Sequence, residues 1–189
     1  MTDDGKVPPA VSAIGVFCGS TAGTRTEYAQ SARQFGQLLA KEGISVVFGG
    51  GKVGLMGEVA NGALEAGGRV VGVIPRGLVE REIAHDGLTE LHVVETMHER
   101  KARMAELSGA FVALPGGLGT LDELFEIWTW FQLGLHHKPI GILNIRGFFD
   151  PLLAAVAAAT REGFIRASLA NSIVVSTNGS ALLKALRAQ

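Results

Sequence analysis

The chain has 189 residues, a net charge of −1 and a pI of about 6.5, and its length suits one domain with a full core. The near-neutral charge gives no reason to expect a nucleic-acid partner. Its most apolar stretches are interrupted well short of the roughly 20 residues that a bilayer helix needs, so no membrane segment is expected. With 47% hydrophobic and 19% charged residues, the composition predicts that part of the surface is buried in an oligomer.

Cysteine usage and the N-terminus together predict the compartment. Cys18 is the single cysteine, which excludes an intrachain disulfide and fits a reducing environment. Residues 1–10 read MTDDGKVPPA, the opposite of the basic and then apolar order of a signal peptide. We interpret residues 1–11 as a disordered N-terminal tail and expect a cytoplasmic protein.

From residue 12 onward, short apolar runs alternate with helical patterns. The apolar runs predict strands over residues 13–18, 44–50, 69–75, 91–95, 110–115, 139–144 and 172–176. Helices are predicted over residues 24–43, 54–68, 97–108, 120–134 and 148–162, with a last one from about residue 179. The first helix opens with Thr24 and Glu27 at the spacing of a capping box and stops at Gly43.

The predicted strands are continuously apolar, which is typical of a parallel sheet covered on both faces. Residues 12–189 therefore predict a single α/β domain, doubly wound and Rossmann-like, with a mainly parallel sheet flanked by helices. Ligands of such sheets bind outside the carboxyl ends of the strands. Three of those ends are rich in small residues: CGST (18–21), GGGKVGLMG (49–57) and PGGLGT (115–120).

These glycine loops favour a phosphate-bearing ligand, because glycine lets backbone amides approach closely and a helix N-terminus adds unpaired N–H groups. A Walker loop is disfavoured, since no hydroxyl residue follows Lys52. Residues 49–54 satisfy the Gly-x-Gly-x-x-Gly pattern. However, the next strand ends in Pro75 and Arg76 instead of the acidic residue that holds an NAD ribose. NAD binding is therefore disfavoured as well.

A second group of residues lies in ETMHERKARMAELSG (95–109), directly before the PGGLGT strand. In a helix, Met97, Arg100, Lys101 and Met104 fall on one face. One interpretation is a solvated basic helix with snorkelling side chains. The other, favoured by the position before a glycine loop, is a role in binding an anion or orienting a carboxylate.

GGGKVGLMG, MHERKARM and PGGLGTLDE, in this order and at this spacing, resemble the Lonely Guy (LOG) family of cytokinin-activating phosphoribohydrolases. The similarity runs from about residue 13 to residue 180. It implies hydrolysis of the N-glycosidic bond of N6-substituted adenosine 5′-monophosphates to a free base and ribose 5-phosphate. It also implies a homodimer. Members have often carried the label "lysine decarboxylase", but no motif here suggests a pyridoxal phosphate site, and we predict no cofactor.

The resemblance also implies site residues. Arg100 and Glu123 match the family's catalytic pair, and Glu82 matches an acidic substrate-binding residue by its spacing to Arg100. The resemblance implies further substrate contacts by Lys101, Gly117, Leu118, Gly119, Thr120 and Thr129. The small-residue loops and the basic helix add Ser20, Gly50, Gly51, Gly116 and Met97 as candidates. For Ser20, helix capping is an equal alternative.

These residues suggest a mechanism. Breaking a ribosyl bond to adenine develops positive charge on the ribose, which the Glu123 carboxylate can stabilise while it orients or deprotonates the attacking water. Arg100 would keep that carboxylate ionised, because an adjacent cation lowers its pKa. The amides of Gly116, Gly117, Gly119 and Thr120 would anchor the 5′-phosphate. The group that protonates the base is not identified, and Glu82 is one candidate.

A purely structural interpretation of Glu123 is also available. Thr120-x-x-Glu123 has the spacing of a capping box, in which the Glu123 side chain would accept a hydrogen bond from the Thr120 amide. The resemblance and the position of the loop favour the catalytic interpretation.

The remaining candidates have simpler interpretations. Cys18 has no identifiable base beside it, and the five histidines show no metal-ligand spacing, so we predict no metal. Residues 124–135 are apolar around nearly the whole helix, and the surplus predicts a subunit interface. Two other functions stay open: a general AMP nucleosidase, and a non-catalytic nucleotide-binding or carrier protein of the same fold.

Overall fold

In the computed structural model, which describes residues 11–79 and 84–189, seven strands pair in one sheet. They are β1 (Ala13–Phe17), β2 (Ser45–Phe48), β3 (Val70–Pro75), β4 (Glu90–Val94), β5 (Ala110–Ala113), β6 (Ile140–Leu143) and β7 (Ile173–Ser176). Their order is β4-β3-β2-β1-β5-β6-β7, with parallel pairing throughout. The predicted parallel α/β sheet is confirmed, and its switch point lies between β1 and β5. Of the predicted tail, only Val11 is among the described residues.

Helices cover both faces of this sheet. They are α1 (Thr26–Lys41), α2 (Gly54–Glu65), α3 (Met97–Leu107), α4 (Leu118–Gln132), α5 (Asp150–Arg161), α6 (Ala167–Ala170) and α7 (Gly179–Leu186). One core, which includes Phe35 and Leu183, packs α1, α2 and α7 on the sheet, and a second, which includes Met104 and Leu124, packs α3, α4 and α5. Each large side chain buried there contributes roughly 1.5–3 kcal/mol. Within the described ranges, no helix is long and apolar enough to cross a membrane.

Strand β4 departs from the continuously buried pattern of the central strands. It lies at an edge of the sheet, and Leu91 and Val93 are 38% and 44% exposed. The alternate residues Glu90, His92 and Val94 are half-buried. The reason is positional: β4 lies at the edge of the sheet and has β3 as its one neighbouring strand.

The predicted capping box at the start of α1 is wrong. The helix begins at Thr26, after an extended Arg25 that provides no side-chain cap. Gly23 adopts a left-handed φ of 72° and the backbone stays non-helical through Arg25, so Thr24 lies in the loop instead of at the helix start.

Candidate active site

The three small-residue segments predicted from the sequence meet in one cleft at the carboxyl edge of the sheet. Its volume is about 170 Å³. Its walls include the ends of β1 and β2, the start of α4 and the side chains of Met56, Arg100 and Glu123. The cleft lies at the switch point between β1 and β5, where open α/β sheets bind ligands.

Gly19 ties the three segments together through its backbone. Its amide donates a hydrogen bond to the carbonyl of Pro115 at 3.0 Å, and its carbonyl accepts one from the amide of Leu55 at 2.9 Å. The three segments pack too closely for a side chain at Gly116 or Gly54. A Cβ at Gly116 would lie 2.7 Å from the Gly19 nitrogen, and a Cβ at Gly54 would lie 2.3 Å from the carbonyl carbon of Ser20. The glycines therefore permit the close approach of the loops.

Two helix starts border the cleft, and only one has its first amides available. At the start of α2, the amides of Leu55 and Met56 donate to the Gly19 carbonyl. At the start of α4, the first bond within the helix runs from the Leu121 amide to the Gly117 carbonyl, and no side chain caps the end. The amides of residues 118–120 have no acceptor within the helix. This helix start can hold an anion such as phosphate.

The structure resolves the two interpretations of Glu123. Helix α4 begins at Leu118, two residues before the predicted start, so Thr120 lies inside the helix instead of at its cap. Glu123 cannot then close a capping box with Thr120, and its side chain lines the cleft, with only 9% of the residue exposed. The capping interpretation is wrong.

Arg100 reaches the same cleft from α3. This helix does have a side-chain cap, because Thr96 Oγ1 accepts a hydrogen bond from the Glu99 amide at 3.1 Å. Arg100 follows one turn into the helix and is only 5% exposed. Its Nη2 lies 3.9 Å from Glu123 Oε1, and its Nη1 lies 3.8 Å from Met97 Sδ. The solvated-helix interpretation is therefore wrong, and the predicted arginine–glutamate pair is brought together.

Lys101 is turned away from this pair. Its Nζ lies 2.7 Å from Asp122 Oδ2 and 3.2 Å from Glu126 Oε2, so it links α3 to the outer side of α4. Burial lowers the pKa of Lys101, but the hydrogen bonds with the two carboxylates outweigh it, and the pKa is raised overall. Lys101 is charged at neutral pH and stabilises the packing of the two helices.

The other predicted site residues divide into three sets. Ser20, Gly117, Leu118, Gly119 and Thr120 line the cleft, and Gly116 packs directly beneath Thr120. Gly50, Gly51, Met97 and Thr129 do not line it in the described chain: Gly50 accepts a hydrogen bond from the His85 amide, and Thr129 is on the exposed side of α4. Glu82 lies outside the described residues.

Five lining residues are absent from the predicted site: Val16, Cys18, Gly19, Gly49 and Met56. Gly49 directly follows β2, and Met56 is in the first turn of α2. The signal for both was present in GGGKVGLMG, which holds the two residues. The sequence did not reveal which of its three successive glycines faces the cleft.

Cys18 lines the cleft but is not poised as a nucleophile. Burial raises the pKa of its thiol, the nearby Glu123 carboxylate raises it further, and Arg100 lowers it by less. The side chain is therefore a neutral thiol at physiological pH, whereas nucleophilic cysteines act as thiolates.

His85 has a structural role beside the cleft. Its Nδ1 accepts a hydrogen bond from the Gly87 amide at 3.1 Å, so the proton is on Nε2, which donates to Asn61 Oδ1 at 3.0 Å. Burial and the charge of Lys52 lower the pKa of His85, which keeps it neutral at physiological pH. Across residues 11–79 and 84–189, no three His, Cys, Asp or Glu side chains cluster as metal ligands would.

The sheet and cleft define a class: a Rossmann-like α/β protein whose site combines an uncapped helix start with a buried arginine–glutamate pair. Residues 56–186 match the family model described as "Possible lysine decarboxylase". The chain belongs to this family, the Lonely Guy (LOG) family.

Two curated relatives support the assignment. The chain is 46% identical to the cytokinin riboside 5′-monophosphate phosphoribohydrolase of Rhodococcoides fascians, over 98% of this chain and 94% of the relative. It is 45% identical to the Arabidopsis thaliana enzyme LOG2, which bears the same activity name, over 92% of this chain and 81% of the relative.

A solved structure supports the fold alone. The molybdenum cofactor binding protein of Rippkaea orientalis superposes with a TM-score of 0.70, over 94% of this chain and 96% of that one. The sequence identity is 24%, so the likeness extends to the α/β architecture and no further.

Proposed function

We propose that this protein hydrolyses the N-glycosidic bond of N6-substituted adenosine 5′-monophosphates and releases the free base and ribose 5-phosphate. The observation that carries the proposal is the buried Arg100–Glu123 pair, 3.9 Å apart, beside the uncapped start of α4. Relatives at 45% and 46% identity are named as phosphoribohydrolases of cytokinin riboside 5′-monophosphates.

The start of α4 anchors the 5′-phosphate. Leu118, Gly119 and Thr120 line the cleft, the amides of a first helical turn have no backbone acceptor in their own helix, and the helix dipole favours an anion there. Gly117 and Gly119 have open space where a side chain would be, which leaves room for the phosphate oxygens. The free energy gained by binding the phosphate, which does not itself react, holds the reacting ribose carbon in the orientation that the reaction needs.

Glu123 acts on the anomeric carbon, C1′. As the bond from C1′ to the base nitrogen breaks, positive charge builds on the ribose, and the buried carboxylate stabilises it. The same carboxylate orients or deprotonates the water that attacks C1′. The hydroxyl of that water is transferred to C1′, and one proton is transferred to the departing base, so the atoms balance.

Arg100 positions Glu123 and balances its charge. The guanidinium is buried with the carboxylate, and in a low-dielectric site such a pair interacts far more strongly than it would in water. Without a cation beside it, a buried carboxylate favours its protonated form and loses its value as a base.

The test is an incubation of the purified protein with AMP and, separately, with isopentenyladenosine 5′-monophosphate, followed by chromatography for free base and ribose 5-phosphate. We expect equimolar amounts of free base and ribose 5-phosphate, with faster release of the base from the N6-substituted nucleotide. Faster release from AMP would identify a general AMP nucleosidase. Binding without any release of base from either nucleotide would contradict the hydrolase proposal and favour a carrier.

We also infer a homodimer that forms across α4. Phe125, Thr129 and Leu133 follow one another at intervals of four residues, and the two apolar members are 39% and 64% exposed. Leu135, just beyond the helix, is 68% exposed. An exposed apolar stripe of this kind is typical of a subunit interface. The cytoplasmic location expected from the sequence stays a prediction.

Replacing Leu133 with glutamate is expected to convert the dimer to a monomer, because the new charge would have to be desolvated at the interface. Sedimentation-velocity measurements would show the change. Phe164→Glu is the control, since Phe164 is 87% exposed and lies in the chain beyond α5, outside the α4 stripe. A dimer that persists in Leu133→Glu would contradict the assignment of this face.

A further inference from the structure

The guanidinium of Arg100 lies directly against the backbone of Gly49. A Cβ at this position would be only 1.9 Å from Arg100 Nη2 and 3.0 Å from its Cζ. Real side-chain carbons never approach other atoms so closely, so residue 49 and the observed position of Arg100 are compatible only when residue 49 is glycine.

The requirement at Gly49 concerns space and not backbone conformation. Gly50 and Gly54 have φ values of 81° and 64°, which favour glycine for conformational reasons. Gly49 is not among the glycines with positive φ, so a larger residue could adopt its backbone conformation. A side chain there would meet the tips of two flexible side chains: Arg100, which it would overlap, and Met56, whose Sδ would lie 3.1 Å from the added Cβ.

The strand that leads to Gly49 is held on both sides. In β2, Val47 pairs with Gly15 of β1 and with Val71 of β3, and Phe48 pairs with Gly72. A methyl group at residue 49 therefore cannot be accommodated by a shift of the strand at low cost. The guanidinium must move instead. Its other neighbours include Met97 Sδ at 3.8 Å and the carboxylate of Glu123 at 3.9 Å.

We propose that Gly49 is a positioning residue, whose missing side chain lets the Arg100 guanidinium lie against the end of β2 and face Glu123. The proposal rests on the proposed function for the roles of Arg100 and Glu123. It explains why the first glycine of the GGG run borders the cleft while contributing no functional group of its own.

The test is Gly49→Ala. We expect a folded protein whose kcat falls roughly 10²-fold with a smaller change in KM, since a misplacement of about 1 Å can cost that much while the phosphate anchor on α4 is untouched. Gly109→Ala is the matched control, because a Cβ there meets nothing closer than 3.5 Å. The control is expected to keep the kcat of the unmodified protein.

A double-mutant cycle distinguishes positioning from general disturbance of the fold. In the Arg100→Ala background, the closest remaining contact of the added methyl group is Met56 Sδ at 3.1 Å, which a small shift of this flexible side chain relieves. Gly49→Ala is therefore expected to change kcat there by no more than about twofold. An equal loss in both backgrounds, or no loss in the single variant, would overturn the proposal.

A crystal structure of Gly49→Ala provides a readout that does not depend on turnover. The guanidinium is expected to be displaced, with an Nη2–Oε1 distance to Glu123 well beyond the 3.9 Å found here. A guanidinium that keeps its position would overturn the proposal. If the unmodified protein releases no base, the proposed function fails, and the displacement alone decides whether Gly49 positions Arg100.

Discussion

Glu123→Gln is expected to fold normally and to lose about 10³-fold in kcat, because the change removes the charge that stabilises the ribosyl cation and activates water. The two side chains have nearly the same shape, so packing in the cleft is conserved. Glu123 does not close a capping box with Thr120, since the helix begins five residues earlier at Leu118. Initial rates of base release and a thermal melt check the two parts of this expectation.

The control for this variant is Glu126→Gln, the same change on the same helix. Glu126 pairs with Lys101 on the outer side of α4 and does not line the cleft. It is expected to keep the turnover of the unmodified protein. Turnover retained in Glu123→Gln would remove Glu123 from the mechanism.

Arg100→Lys is expected to lose about 10²-fold in kcat although the positive charge is conserved. The guanidinium places Nη2 toward Glu123 and Nη1 toward Met97 Sδ at the same time, and a lysine ammonium has one nitrogen and a different reach. The variant therefore separates the geometry of the cation from its charge. Steady-state kinetics with the N6-substituted nucleotide measure the loss.

Arg103→Lys is the matched control on the same helix. Arg103 pairs with Glu106 at 3.0 Å on the solvent side of α3, and its side chain is 40% exposed. Unchanged kcat is expected there, because exposed ion pairs contribute little. If Arg100→Lys were as active as this control, charge alone would suffice and the orienting role of the guanidinium would be wrong.

The architecture was predictable from the sequence because the central strands are buried on both faces. Runs such as those of β1 and β5 are short and apolar without alternation, which is typical of a parallel sheet covered on both faces. Helix starts were less predictable. Thr24 and Thr120 both have capping-box spacing, yet the path of the preceding loop decides where each helix begins, and local spacing does not reveal that path.

The site was predictable in part. Arg100 and Lys101 were placed on one helical face, but consecutive helix residues point about 100° apart. The packing of α3 directs Arg100 to the sheet and Lys101 to the carboxylates of α4. The role of Gly49 was hidden for a different reason. It depends on a contact with a side chain 51 positions later, and no local pattern reports such a contact.

In the mechanism proposed above, the cleft holds a nucleotide with its phosphate at the start of α4 and its anomeric carbon at Glu123. A crystal structure of Glu123→Gln with bound AMP tests this placement. We expect phosphate oxygens within hydrogen-bond distance of the amides of residues 118–120, and C1′ facing the side chain at position 123. A phosphate held elsewhere, or a base stacked where the ribose should be, would contradict it.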